Sequence, residues 1–289
     1  MQRSVTHTYL KWVLVALISA GSLAPAFAQQ SNAIVPDVIY GHKAGMALTF
    51  DVFKPDSAAN GAGVLIMVSG GWVSTWRDPR TGRAAYSHLL NAGFTVFAVR
   101  HGSSPQFKVP EAYADVKRAL RYIHLHAAEW GVDARRLGVH GGSAGGHLSL
   151  MLATTGDDGD PSASDPVLRG SSKVAAVVAY FPPVDLRQMT GPSDRFPALN
   201  FEEALSGSVS PILFVTPDDP PSLLIHGTAD QLVPYSNSTR MHAAFQEKKV
   251  ATELILIDGA AHGFQGAALM QAREATVRWF VAHLTARRE

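Results

Sequence analysis

The sequence predicts an α/β fold with a mainly parallel central sheet and helices on both of its faces. Three observations predict it. Short apolar runs bounded by Gly or Pro recur along the chain, as strands covered on both faces do. Segments with apolar residues at 3.6-residue spacing separate them. The length, 289 residues, suits one large domain better than two small ones.

Taken in order, Ile34–Tyr40 and Met46–Phe53 read as an antiparallel hairpin at the sheet edge, joined around Gly41–Gly45. Val64–Val68 is a β-rich run that ends at Ser69-Gly70-Gly71, and Phe94–Val99 is the next. Pro110 opens a helix over Glu111–Glu129, with Val116, Ala119, Leu120 and Ile123 along one side. Leu137–His140 is a short strand that leads at once into a helix starting near Ala144. Val174–Tyr180, Ser222–His226 and Glu253–Ile257 are further strands, and Ser236–Lys248 and Ala267–Leu284 further helices. Two stretches break the alternation. Residues 156–172 are rich in Asp, Pro, Ser and Gly, and residues 187–211 contain "GPSDRFPALNFEEALSG". Connections this long are usually functional or mobile, and 187–211 reads as a cap inserted over a site.

The first residues read as an export signal. Arg3 and Lys11 are the only charged side chains before residue 37; Trp12–Leu23 is apolar, and Ala26 and Ala28 sit as small residues before Gln29. The apolar run is short for a membrane span, which needs about 18 residues or more. Cleavage after Ala28 would leave residues 29–289 as one exported domain, periplasmic or secreted and free of the membrane. Charge is nearly balanced, with Lys+Arg 25 against Asp+Glu 24. No basic block suggests nucleic acid or an anionic membrane surface. Cysteine is absent, which excludes disulfides, thiol nucleophiles and thiolate metal sites.

Residues 137–150, "LGVHGGSAGGHLSL", place one serine between pairs of glycines. Gly141-x-Ser143-x-Gly145 fits a sharp strand-to-helix turn that holds a hydroxyl over the sheet's C-terminal edge. Side chains at the glycines would collide with the adjoining strand or helix. The helix N-terminus aims free N–H groups, that of Ala144 among them, at a developing negative oxygen. A serine hydroxyl needs a base oriented by a carboxylate, and this turn expects the order Ser, Asp or Glu, His. "LLIHGTADQLVP" supplies Asp230 after one apolar strand, and "LILIDGAAHGF" supplies His262 after the next. Asp258 and Asp185 are rival acids; Asp258 reads better as a turn former and Asp185 as a substrate-binding residue or an anchor of the cap. His140 and His226 read as buried supports, His147 falls within the helix, and His88 and His101 show no special role. After the third strand, the N–H groups of Gly71 and Trp72 are candidate oxyanion donors beside Ala144.

Together these residues resemble the α/β-hydrolase superfamily, in its carboxylesterase branch near hormone-sensitive-lipase-like and feruloyl-esterase-like enzymes. The resemblance runs from Val38 to Leu284 on "SGGW" (69–72), the segment 109–148, "PDDPPSLLIHGTADQLVP" (217–234) and "GAAHGF" (259–264). It implies an α/β-hydrolase fold, with Ser143 as nucleophile, His262 as general base and Asp230 as its orienting acid. Many relatives carry His-Gly-Gly-Gly at the oxyanion loop, whereas here Ser69 replaces the His and Trp72 the third Gly. The indoles of Trp72 and Trp76 are therefore expected to wall the acyl pocket. The expected reaction is cleavage of a small-molecule or oligosaccharide ester through an acyl-enzyme, with no metal and no cofactor. Two alternatives stand beside it: a peptidase like the catalytic domain of prolyl oligopeptidases, and a silent hydrolase-like binding protein.

Overall fold

Each apolar run read as a strand becomes one, and among the described residues eight strands form one sheet in the order β1-β2-β4-β3-β5-β6-β7-β8. They are Ile34–Lys43 (β1), Met46–Phe53 (β2), Gly63–Met67 (β3), Thr95–Val99 (β4), Leu137–Gly142 (β5), Ala176–Tyr180 (β6), Ser222–Gly227 (β7) and Thr252–Ile257 (β8). The computed structural model describes residues 33–56 and 58–285. The leader expected over residues 1–28, with its cleavage after Ala28, lies outside the described residues. β3 to β8 run parallel to one another, whereas β2 is antiparallel to both β1 and β4.

The edge hairpin is longer than expected. β1 continues to Lys43, and the chain turns at Ala44 and Gly45, with φ of 48° and 77°, a two-residue hairpin turn. Two register shifts, between Val35 and Val38 and between Ile39 and Gly41, break the alternation by which a strand is read.

The helices divide between the two faces. Val109–His126 (α3), Ala144–Thr154 (α4) and Ser236–Glu247 (α5) cover one face; Ser87–Asn91 (α2) and Gly266–Phe280 (α6) cover the other. A single turn, Pro79–Gly82 (α1), precedes α2. The sequence gives no strong sign of α1 and α2, because segments this short cannot show a 3.6-residue period. α1 instead relies on Asp78, whose carboxylate accepts the Arg80 N–H and caps it. α3 begins at Val109 because Glu111 accepts the Lys108 N–H at 3.0 Å, and a tighter turn takes over after His126.

α4 is apolar on all sides, and all 11 of its residues are buried, as a helix pressed between sheet and neighbours must be. On the opposite face Phe280 lies against the bare backbone of Gly138 in β5 and edge-on to Phe94 at 6.2 Å. Phe280→Ala should therefore lower stability by about 3–5 kcal/mol, read as a lower urea midpoint with unchanged slope.

Candidate active site

The strand order brings the C-terminal ends of β3, β5, β7 and β8 to one edge of the sheet, the edge where ligands bind in folds of this kind. Ser143 links β5 to α4 with φ 54° and ψ −121°, a conformation that costs an L-residue about 1–3 kcal/mol. Its N–H donates to the Tyr180 carbonyl at 2.9 Å, and its carbonyl accepts the His147 N–H at 2.9 Å. A Cβ at Gly141 would lie 2.4 Å from the Gly145 carbonyl carbon, and one at Gly145 would lie 2.7 Å from the Met67 carbonyl oxygen. These close approaches pin the turn between β3 and β6. Helix geometry leaves the first N–H groups of α4, Ala144 included, without an intrahelical acceptor.

Asp230 follows β7 and His262 follows β8. The Ala229 N–H joins the two loops by donating to the Ala260 carbonyl at 3.0 Å. His262 Nδ1–H donates to Asp230 Oδ2 at 2.7 Å, and Asp230 Oδ1 accepts the N–H groups of Leu232 and Val233, each at 2.9 Å. Burial acts to raise the Asp230 carboxyl. The Val233 N–H, His262 and the Leu232 N–H outweigh it and hold the group below its ordinary range. The bond to Asp230 occupies Nδ1 and leaves His262 Nε2 as the basic nitrogen. The rival acids lie elsewhere: Asp258 accepts the Thr228 hydroxyl at 3.0 Å, and Asp185 is paired with Arg187 and Arg240. Among the described residues, the Asp230–His262 hydrogen bond is formed and no hydrogen bond closes His262 onto Ser143, a contact often long before substrate arrives.

Phe181 ties the serine and histidine ends together. It follows β6 with φ 36°. Its ring lies 4.6 Å from the His262 ring and close beside Gly142.

The other candidate donors sit on a tight turn. Gly70 N–H donates to the Val73 carbonyl at 3.0 Å and Val73 N–H to the Gly70 carbonyl at 2.9 Å, with Gly71 and Trp72 both at φ 57°. Among the described residues, the Gly71 and Trp72 N–H groups have no acceptor. Residues 101–104 form a strap that holds this turn. His101 Nδ1–H donates to the Gly102 carbonyl at 2.8 Å, so Nε2 accepts the Ser69 hydroxyl at 2.9 Å. The Ser74 N–H donates to the Ser103 hydroxyl at 2.9 Å, and the Ser104 N–H to the Trp72 carbonyl at 3.1 Å. The role of His101 was invisible in the sequence because its partner lies 32 positions away.

The tryptophans require a correction. The Trp72 indole is only 3% exposed, packs edge-on to His147, and donates from Nε1 to His147 Nδ1 at 3.3 Å. Trp76 is 56% exposed, and its Nε1 donates to Asp37 on β1 at 3.0 Å. Trp72, on a left-handed backbone, turns inward to an acceptor on His147, and Trp76 is held at the sheet edge by Asp37. The aromatic rings beside the candidate site are instead Phe181 and Phe196, which the sequence reading missed; Phe196 packs on Gly71. The one sequence signal for Phe181 was its place immediately after β6.

Residues 187–211 fold as short single turns. Ala198, Leu199 and Val209 are buried in the core, and Lys108 Nζ donates to the Pro197 carbonyl at 3.0 Å. His147 Nε2–H donates to the Val209 carbonyl at 2.7 Å, so one imidazole joins the donor turn to this insertion. His140 is also buried and meets the Val178 carbonyl through Nδ1 at 3.0 Å; His226 meets Ser238 and the Val233 carbonyl. Among the described residues, no group of three or more His, Asp or Glu could hold a metal ion, and no helix is long and apolar enough to cross a membrane.

Residues 50–245 match the family model described as BD-FAE. A probable carboxylic ester hydrolase, LipM, of Mycobacterium tuberculosis is 30% identical over 213 residues. Those residues are 68% of this chain and 48% of LipM, so the chain spans about half the length of that relative. Among solved structures, a truncated carbohydrate esterase from gut microbiota superposes with a TM-score of 0.73 at 27% identity. It covers 88% of this chain and 96% of its own. The propionate-bound esterase 2 of Thermogutta terrifontis superposes with a TM-score of 0.72 at 27% identity, over 87% and 96% of the two chains. The fold is that of the α/β-hydrolases.

Two outcomes follow from this geometry. Burial holds the His140 and His147 imidazoles at a pKa of about 4, against 6.5 for a free histidine. Both stay neutral in the folded chain while the unfolded chain takes up protons. Their contribution to stability is therefore complete above pH 6.5 and is lost as pH falls toward about 4, at about 1.4 kcal/mol per pH unit for each. Urea midpoints measured across that range should fall accordingly. Ser69→Ala removes the hydroxyl held by His101 and should lower kcat on a p-nitrophenyl ester by about two- to tenfold, with KM little changed.

Proposed function

The chain belongs to the BD-FAE family, and from that premise we propose that it hydrolyses carboxylic esters through a covalent acyl-serine. The observation that carries the reading is the 2.7 Å bond from His262 Nδ1 to Asp230 Oδ2, on the sheet edge that also presents Ser143 on its strained turn. His262 Nε2 takes the Ser143 proton as Oγ attacks the ester carbonyl. The oxyanion is held by the N–H groups of Gly71, Trp72 and Ala144. Collapse releases the alcohol, which receives the proton from His262. Water then attacks the acyl-serine with His262 again as base, and the acid leaves with Ser143 restored.

The substrates are small-molecule or oligosaccharide esters with a short acyl group. Phe181 and Phe196 stand close to Gly142 and Gly71, which favours a compact acyl chain. The similarity to a carbohydrate esterase and to a propionate-bound esterase points the same way. Residues 187–211 act as the cap of this pocket, and residues 1–28 direct export.

A fluorophosphonate probe should label the wild type and not Ser143→Ala, which should also lose turnover while keeping its fold. Asp230→Asn should cost about 10⁴ in kcat, because the imidazole would then sit in the wrong tautomer. Rates on p-nitrophenyl esters should fall from acetate and propionate toward octanoate. Labelling that survives Ser143→Ala would sink the assignment.

A further inference from the structure

The turn that offers the Gly71 and Trp72 N–H groups also borders a cavity. It has a volume of about 390 Å³, and Ser69, Gly70 and Val73 form its wall on the turn side. Thr75, Arg77 and Tyr86 add polar groups to its lining. Its size lies within the range of sites that take small ligands.

The charges of this cavity are unevenly satisfied. Arg100 and Asp51 also line it, but they are buried and committed to each other. Arg100 Nη1 bonds Asp51 Oδ2 at 2.5 Å, and Nη2 bonds Asp51 Oδ1 at 3.0 Å and Asp37 Oδ1 at 2.8 Å. Among the described residues, Arg77 makes no ion pair or hydrogen bond, and the Tyr86 hydroxyl has no partner. Burial pushes the Tyr86 phenol up, so it remains a donor at neutral pH, and the Arg77 charge lies near enough to act on it. The groups left open are thus a guanidinium, a phenol and the Thr75 hydroxyl, and the carboxylate in the lining is already paired. Such a wall suits a ligand rich in acceptors that carries negative charge, for which a guanidinium offers a forked pair of donors.

We propose that this cavity is the subsite for the leaving alcohol and selects alcohols that bear a carboxylate, namely hydroxy acids or uronic acids, with Arg77 pairing the carboxylate and Tyr86 and Thr75 donating hydrogen bonds. The proposal rests on ester hydrolysis at Ser143. The apolar rings of Phe181 and Phe196 then serve the acyl group, and the polar cavity serves the alcohol.

The test compares 4-acetoxybenzoate with its uncharged methyl ester, methyl 4-acetoxybenzoate, on the wild type and on Arg77→Met. The acyl group is identical in the two, so the ratio of their kcat/KM values reports recognition of the leaving alcohol. Arg77→Met should lower that ratio at least about tenfold, as loss of a charged hydrogen-bond partner does. In the wild type the ratio should fall as salt is added. A ratio that Arg77→Met leaves unchanged, or equal losses on both esters, overturns the proposal. Binding of 4-hydroxybenzoate by calorimetry, to wild type and to Arg77→Met, separates this result from failure of the hydrolase reading. If neither ester turns over and the probe does not label Ser143, the hydrolase reading falls. Binding that is present in the wild type and lost in Arg77→Met would still support the anion site, whereas no binding to either would end it.

Discussion

The backbone of Ser143 is the constraint on which the rest of the molecule depends. An L-residue at φ 54° and ψ −121° does not persist unless its surroundings enforce it. Here the enforcement is steric as much as hydrogen-bonded. α4 enters so close to β3 and β5 that a single methyl group at Gly141 or Gly145 would overlap backbone atoms. The complete burial of α4 supplies apolar packing that offsets the strain. Every other feature of the site is arranged around where this turn points: the loops after β7 and β8 are stitched together through Ala229 and Ala260, and the turn after β3 is held from one side by residues 101–104.

The two halves of the site are ordered by different means. Asp230 is fixed mainly by the backbone, with two N–H groups on one oxygen; its other oxygen meets His262, with the buried His226 Nε2 3.2 Å away. The donor turn is ordered by side chains: His101 grips Ser69 and His147 grips Trp72. Backbone ordering depends little on residue identity, whereas side-chain ordering depends on it strongly. The histidine of the His-Gly-Gly-Gly pattern is absent at position 69, and an imidazole reaches that position instead from the loop after β4.

This difference also explains what could be read from the sequence. The sheet, the α/β layering and the order of Ser143, Asp230 and His262 were legible because each rests on local pattern: apolar runs, a glycine-flanked serine, loops after strands. Asp230 rather than Asp258 reads as the acid because Asp258 has the look of a turn former; His262 Nδ1 bonds Asp230, and Asp258 accepts the Thr228 hydroxyl. The fate of the tryptophans was not legible. Trp72 and Trp76 are four residues apart, yet one is swallowed by the core and the other tied to Asp37. Those partners are 75 and 39 positions distant, and no local pattern encodes them. α1 and α2 escaped notice because they are too short to repeat, and the 187–211 turns because their few buried anchors, Ala198, Leu199 and Val209, have no period.

His147 gives the architecture a further property. One ring nitrogen receives the Trp72 indole and the other reaches the carbonyl of Val209, so the insertion and the donor turn share a single buried support. In many scaffolds a variable loop can be exchanged without disturbing the parts beneath it. Here an insertion transplanted from another protein would have to bring a carbonyl to the place of Val209, or it would leave an imidazole N–H stranded in the core and loosen Trp72 with it. Divergence of residues 187–211 is thereby coupled to divergence of the turn at residues 70–73, and the two are expected to change together or not at all.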